Sequence, residues 1–395
     1  LTCKRTKPTV LLFKNDYIIF GKLLNYTNKN ILLTRQKAFL NMNNRAILLT
    51  DGLLTTTDAK TAHGLIRGTD RYQIVGVVDA PTAGQDAGTL LDGQARNIPV
   101  FASVADALTA LDQVAYAIVA VATSGGVLPP NMLADIKLCL QNGLSVVNGL
   151  HEFLNDKPEL VALSGQYGGQ LIDVRRPKPR QELHFWTGEI NEITAPIIAI
   201  IGTDCALGKR TTTRLIREAC ERNQLNAQMI YTGQTGWLQG GKYGFIFDST
   251  LNDFVSGELE HALVSCWRET SADVLLIEGQ AALRNPSGPC GSEFLVSGNA
   301  RHVVLVHAPK RTYYDHIEAW GKIPSAESEI ALIRCYGSTV IALALNTEGC
   351  TREEAFAFQK QFTDHLGIPV LLPLEEGVEP ILPIIQSLTL SAHAH

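Results

Sequence analysis

No run of eighteen or more apolar residues occurs in the 395-residue chain, so a membrane-spanning helix is not expected. No CxxC pair and no Cys/His metal spacing is present. The eight cysteines, at 3, 139, 205, 220, 266, 290, 335 and 350, are scattered. That pattern leaves no metal site to expect and favours a reducing, cytoplasmic setting over a disulfide framework. The G-x-G-x-x-G dinucleotide fingerprint is missing, and so is any internal repeat. What is present is ordinary globular composition, 45% hydrophobic and 18% charged, in a chain long enough for two domains with their own cores.

Positive charge is concentrated at one end. Residues 1–41 carry eight Lys/Arg against Asp16, which leaves about −12 on the remainder of a chain whose net charge is −5. The segment lacks a helical period, and Met42 directly precedes the first clean strand. It is expected to be an extension outside the fold, disordered or not native, with a targeting or nucleic-acid-binding arm as the alternative. An acidic remainder argues against nucleic acid as a partner.

From Ala46 strand and helix signals alternate. AILLT (46–50), YQIVGVVD (72–79), IPVFAS (98–103), YAIVAVA (116–122) and SVVNG (145–149) read as buried strands, with helices over 58–68, ADALTAL and NMLADIKLCLQNG between them. Short apolar strands separated by helices predict a doubly wound parallel sheet of Rossmann-like form over 42–180. Asp79 ends the second strand where a ribose-binding acid would sit, although the glycines that accompany one are missing. DVRRPKPRQE (173–182) is a break, because proline lacks the donor and fixes φ. A second α/β series fills 190–395. Its strands fall at 197–203, 227–233, 273–279, 302–308, 338–346 and 369–373, and its helices at 209–222, 252–269, 325–336 and 351–366.

The second series opens on IAIIGTDCALGKRTTT (198–213), in which an apolar strand runs into a Gly-rich loop and then a helix. Glycines let backbone N–H groups converge on an anion, the lysine adds a point charge, and the helix contributes its positive end. The loop departs from G-x-x-x-x-G-K-[ST]. Gly202 lies one residue early and Arg210 holds the hydroxyl position. Thr211 is turned about 100° further around the helix. Since that hydroxyl ligates Mg²⁺ in the regular loop, anion binding is better supported than metal-dependent hydrolysis.

Several further residues have two readings. Asp204, inside the loop, is placed to hold a metal, to deprotonate an amine, or to cap a backbone group. Glu278 ends the strand DVLLIEG beside the loop, as an acid that holds Mg²⁺ through water, a general base, or a solvated strand end. Thr232-Gly233-Gln234-Thr235-Gly236 suits close approach to a ligand, or is a plain turn. Asp253, Glu258 and His261 share a segment whose spacing also fits an ordinary amphipathic helix. Lys310-Arg311 is a candidate for binding carboxylate or phosphate, His307 reads as a packed strand residue, and Cys205 as a space-filler rather than a reactive thiol.

GTDCALGKRTT, TGQTGW, NDFVSGELE, LLIEGQ and PSAESEIALI…ALALNTEG together resemble a two-domain family long catalogued as a domain of unknown function and now described as D-glutamate N-acetyltransferase-like. NGLHEFL (148–154) and the units before it resemble that family's Rossmann-like N-terminal domain, so the likeness runs over about 45–380. The C-terminal half also resembles dethiobiotin synthetase, in its GTD…GK loop and its acid strand alone. The family resemblance implies acetyl transfer from acetyl-CoA to the amine of D-glutamate or a related acidic amino acid. Gly202, Thr203, Asp204, Cys205, Ala206, Leu207, Gly208, Lys209, Arg210 and Thr211 would hold the cofactor's phosphates, and Glu278 and Asp204 would be the catalytic candidates. Thr232, Gln234 and Arg284 are the substrate candidates. The sequence after LLIEGQ, AALRNPSGPCG, departs from the family's expected GSL-HP pattern, in a loop that would border the acceptor. The dethiobiotin synthetase likeness implies instead an ATP/Mg²⁺-dependent ligase or kinase, and a non-catalytic nucleotide-binding protein is the third reading. The partners expected are a small-molecule substrate and further copies of the chain, since cytoplasmic enzymes are commonly homo-oligomers.

Overall fold

The computed structural model describes residues 44–392, and the expected extension over 1–41 lies outside them. The first half runs β1 (Arg45–Leu49), α1 (Lys60–Arg67), β2 (Gln73–Val78), α2 (Ala87–Asp92), β3 (Val100–Phe101), α3 (Val104–Ala110), β4 (Tyr116–Val119), α4 (Met132–Gln141), β5 (Ser145–Asn148), α5 (Pro158–Tyr167) and β6 (Leu171–Asp173). The second half runs β7 (Ile197–Gly202), α6 (Lys209–Arg222), β8 (Ala227–Tyr231), α7 (Gln234–Leu238), β9 (Tyr243–Gly244), α8 (Asn252–Thr270), β10 (Val274–Glu278), α9 (Ser292–Val296), β11 (His302–His307), α10 (Ala326–Cys335), β12 (Thr339–Leu345), α11 (Arg352–Leu366), β13 (Val370–Leu371) and α12 (Leu382–Ala392).

Both sheets are parallel. The first has the order β3-β2-β1-β4-β5-β6 and the second β13-β12-β11-β7-β10-β8-β9. The first order is that of a Rossmann-like sheet, which reverses direction between β1 and β4. The central strands are apolar throughout because each face is covered. In β7, Ile197, Ala199 and Ile201 enter one core and Ile198 and Ile200 the other. In β1, Ile47 and Leu49 take one side and Ala46 and Leu48 the opposite side. The fold class is the one expected.

Differences from expectation are local. IPVFAS forms only the two-residue β3, and the strands β6 and β9 and the helices α2, α5, α7, α9 and α12 carried no recognised signal. Asp79 is not free for a ribose. It is 1% exposed, and its carboxylate accepts bonds from Thr50 Oγ1 (2.7 Å), the Leu54 N–H (3.0 Å) and Thr82 Oγ1 (2.7 Å). Those bonds tie the turn after β1 to the turn after β2. No helix among the described residues is long and apolar enough to cross a membrane.

The halves meet through α1 and α7. Leu238 of α7 is fully buried in the core beneath the first sheet, with Trp237 packed alongside. Gln239 Nε2 donates to the carbonyls of Gly64 (2.7 Å) and Gly68 (2.8 Å), and Thr69 Oγ1 donates to Leu238 O (2.8 Å). The Arg71 guanidinium lies 4.0 Å over the Trp237 ring. The second domain therefore supplies part of the first domain's core. Leu238→Ala is expected to cost about 2–5 kcal/mol, read by calorimetry as a lowered unfolding temperature for the whole chain. An unchanged melting profile would mean that the halves fold without this contact.

Candidate functional site

The Gly-rich loop is built as a strand-to-helix turn. Thr203 N–H donates to Val306 O (3.0 Å) on the neighbouring strand, and its hydroxyl lies 3.0 Å from His307 Nδ1. Ala206 (φ 49°) and Gly208 (φ 87°) turn the backbone through the left-handed region before α6 begins at Lys209. Leu207 anchors the turn in the core at 2% exposure. Beside Gly208 a Cβ would meet no atom within 4 Å, which leaves open space over the loop. Thr211 is half-buried on α6.

Lys209 is buried, and its ammonium donates to the carbonyls of Asp204 (2.6 Å) and Ala281 (2.8 Å). Burial lowers its pKa. Lys60, at the start of α1, is close enough to raise the positive potential at Lys209 and Cys205. The cations and open turn are chemically suited to a phosphate or pyrophosphate group. Burial pushes the Cys205 thiol up, against the pull of Lys209, as a space-filling role requires.

Asp204 is fully buried, and three bonds occupy it. It accepts from Asn285 Nδ2 (2.9 Å), Arg311 Nη1 (3.0 Å) and the Asp315 N–H (2.8 Å). Arg311 also donates to Cys205 O (2.8 Å) and Glu348 (2.6 Å). In this structure the carboxylate acts as a cap that ties the phosphate loop to the loops after β10 and β11. Arg311 binds that carboxylate rather than facing an incoming anion.

Glu278 is 3% exposed at the end of β10. Thr232 N–H reaches its Oε2 at 3.3 Å, and Thr232 Oγ1 donates to its carbonyl at 2.6 Å. A Cβ on Gly236 would fall 2.6 Å from the same carboxylate, so α7 covers it closely. The charge that meets it is Arg210, whose Nη1 lies 3.8 Å from Glu278 Oε1. Burial raises the Glu278 pKa, and Arg210 opposes that rise. On its far side, Arg210 Nη2 would lie 2.7 Å from a Cβ on Gly64, which allows the guanidinium to lie against α1 of the first domain. The position that carries the Mg²⁺ hydroxyl in a regular loop thus holds an internal cation facing the acid.

The three substrate candidates separate. Thr232 stays beside Glu278, and Gln280 Nε2 donates to its hydroxyl (2.9 Å). Gln234 faces the first domain, where its Oε1 accepts from Arg175 Nη2 (3.0 Å). Arg284 is bound to Glu329 through Nε (2.8 Å) and Nη2 (2.5 Å), and to Ser328 Oγ (3.0 Å). Because Glu329 is 1% exposed, that guanidinium stabilises a buried carboxylate and does not stand free as a substrate anchor. Glu258 and His261 lie on α8, as the helical reading implied. Glu258 accepts from Lys178 (2.6 Å) and from the His184 N–H (2.9 Å), which straps the interdomain linker onto the helix. Lys60, Gly64 and Arg175 were not anticipated, and only domain docking brings them to the site.

His307 is packed, as expected, against Phe362 at the back of the loop. Burial pushes its pKa down to about 4. The unfolded chain therefore binds a proton that the native state refuses, and stability falls as pH drops from about 6.5 toward about 4. Denaturant titrations at pH 7 and pH 5 are expected to show that loss in the wild type and a smaller one in His307→Gln. Equal losses would contradict the assignment.

Family models match both halves. The P-loop domain of the domain of unknown function DUF1611 matches residues 184–382, and its Rossmann-like N-terminal domain matches 80–177. A D-glutamate N-acetyltransferase from a Pseudoalteromonas species is 31% identical over 268 residues, covering 66% of this chain and 78% of that protein. One from Tritonibacter scottomollicae is 28% identical over 267 residues, with the same coverage of 66% and 78%. A crystal structure of a DUF1611 family protein from Anabaena variabilis superposes with a TM-score of 0.79 at 28% identity, over 87% of this chain and all of that one.

Proposed function

The chain belongs to the DUF1611 family, and on that premise we propose that it is an N-acetyltransferase that moves the acetyl group of acetyl-CoA to the amine of D-glutamate. The curated relatives bearing that name support the reaction class. The observation that carries the cofactor is the 3.8 Å approach of Arg210 to Glu278. In an Mg²⁺-nucleotide loop, a hydroxyl and an acid converge on the ion. Here the hydroxyl is missing, and the acid already faces a fixed cation from the protein. Such a site favours a ligand whose phosphates are held without a metal, as a handle. The reacting thioester then lies beyond the loop, toward the seam between the domains.

In this reading Gly202–Thr211 bind the phosphates, with Lys209 as the principal charge and Lys60 adding to it from the first domain. Asp204 positions the loop through Arg311 and Asn285. Transfer to an amine requires a neutral nucleophile and stabilisation of the oxyanion that develops on the thioester carbonyl.

Thermal shift with acetyl-CoA, ATP plus Mg²⁺, and NAD separates the readings. Acetyl-CoA at a hundredfold excess over its Kd is expected to stabilise the protein by about 2.7 kcal/mol, and Lys209→Ala is expected to abolish that shift without loss of the fold. A shift with ATP plus Mg²⁺ and none with acetyl-CoA would support the dethiobiotin synthetase-like reading instead.

A further inference from the structure

The acetyl-transfer reading lacks a reachable base, because Glu278 is covered by Gly236 and faces Arg210. A second constellation lies at the same domain seam. β5 runs out into Asn148-Gly149-Leu150-His151-Glu152, and the Asn148 side chain fixes that turn by donating to Glu152 O (2.9 Å) and accepting from the Leu150 N–H (3.1 Å). The Gly126 carbonyl, in the loop after β4, accepts the N–H groups of His151 (3.0 Å) and Glu152 (3.1 Å). Gly126 has φ 66°, and a Cβ there would fall 2.4 Å from His151 Cδ2, so only glycine lets the ring lie as it does.

Across the seam stands Asp248, between β9 and α8. Arg175 grips its carboxylate with Nε (3.3 Å) and Nη2 (2.9 Å), and also donates to Gly149 O (2.5 Å) and Gln234 Oε1 (3.0 Å). One guanidinium therefore sets the His151 turn, the carboxylate and the start of α7 relative to one another. His151 Nε2 lies 3.8 Å from Asp248 Oδ2, and the two side chains are 45% and 41% exposed. That separation is too long for a hydrogen bond, and both groups are open to a ligand. A nitrogen about 2.8–3.0 Å from each atom completes a triangle with normal hydrogen-bond lengths.

We infer that His151 and Asp248 form the binding corner for the acceptor's primary ammonium, with His151 as the general base that deprotonates it. This inference rests on the acetyl-transfer reading. Asp248 accepts one N–H of the ammonium and His151 Nε2 removes another proton, leaving a neutral amine. The amine lone pair forms the C–N bond at the thioester carbonyl. Collapse of the resulting oxyanion breaks the C–S bond, the leaving thiolate takes up the second nitrogen proton, and the imidazolium returns its own to solvent. Arg175 and Asp248 are the charged groups facing the ring. Glu152, next to it in the chain, is held by Lys157 and the Leu128 N–H. Burial and Arg175 lower the His151 pKa, against the pull of Asp248, and this keeps the ring in the basic form at neutral pH.

The test uses full-length wild type, His151→Gln, His151→Ala and Asp248→Asn. His151→Gln is expected to lose about 10²-fold or more in kcat with the KM for acetyl-CoA unchanged, and to lose the acidic limb of the kcat–pH profile. Added imidazole is expected to restore part of the activity of His151→Ala. Calorimetric titration without acetyl-CoA is expected to show D-glutamate binding at least tenfold more weakly to Asp248→Asn. A His151→Gln enzyme within twofold of an active wild type, or unchanged D-glutamate binding by Asp248→Asn, would overturn the inference and leave the acetyl-transfer reading standing. A wild type that transfers acetyl to no amine would overturn both.

Discussion

Beneath the phosphate loop a guanidinium and a carboxylate face each other at 3.8 Å, and the seam between two domains closes over them. Neither group is placed by its own domain alone. Glu278 is covered by Gly236 of α7, and α7 inserts Leu238 into the first domain's core. Arg210 lies against Gly64 of α1. Removing one partner of such a pair leaves a desolvated charge behind, at a cost of about 3–5 kcal/mol. The glycines at 64 and 236 have the same origin: each is where a backbone must pass close to one of the two charges. Domain docking, the shape of the loop and the electrostatics of the anion site therefore share one constraint.

A second buried pair, Asp204 with Arg311, fixes the loop from the opposite side. Arg311 is shared with Glu348, and Asp204 with Asn285 and the Asp315 N–H. The loops after β7, β10, β11 and β12 are thereby tied at the carboxyl ends of adjacent strands, where parallel sheets bind their ligands. The first sheet brings its own carboxyl ends, at Gly126 and His151, to the same seam. The two sheets thus meet at one seam, with residues of both domains beside it. The second sheet's end carries Lys209 and, across the seam, Asp248, and the first sheet's end carries His151 opposite that carboxylate.

Strands were legible where an apolar run spans five or more residues, as in β7, β10 and β12, whereas the helices α5 and α12 went unrecognised. The two-residue strands β3, β9 and β13 depend on tertiary pairing; β3 and β13 sat inside longer apolar runs, IPVFAS and PVLLP, that marked them, and β9 did not. Gly208-Lys209 was legible because its geometry is local to one turn. Asp204 stayed ambiguous for a different reason: its partners lie 81 to 111 residues away, and only the fold decides that it caps rather than reacts. Arg284 misled in the same manner, since the buried carboxylate that claims it comes from α10. Asp79 occupied the right strand end for a ribose, but its bonds to Thr50 and Leu54 after β1 and to Thr82 after β2 were invisible in a linear reading. His151 carried no motif of its own, and it gains chemical meaning only opposite Asp248 of the other domain.

The central claim is that Arg210 stands where a divalent cation would otherwise neutralise Glu278, so that phosphate binding here proceeds without a metal. Isothermal titration of acetyl-CoA into the wild-type protein, once with excess Mg²⁺ and once with EDTA, tests this most directly. The account predicts dissociation constants equal within twofold. A dissociation constant at least tenfold weaker in EDTA would contradict it.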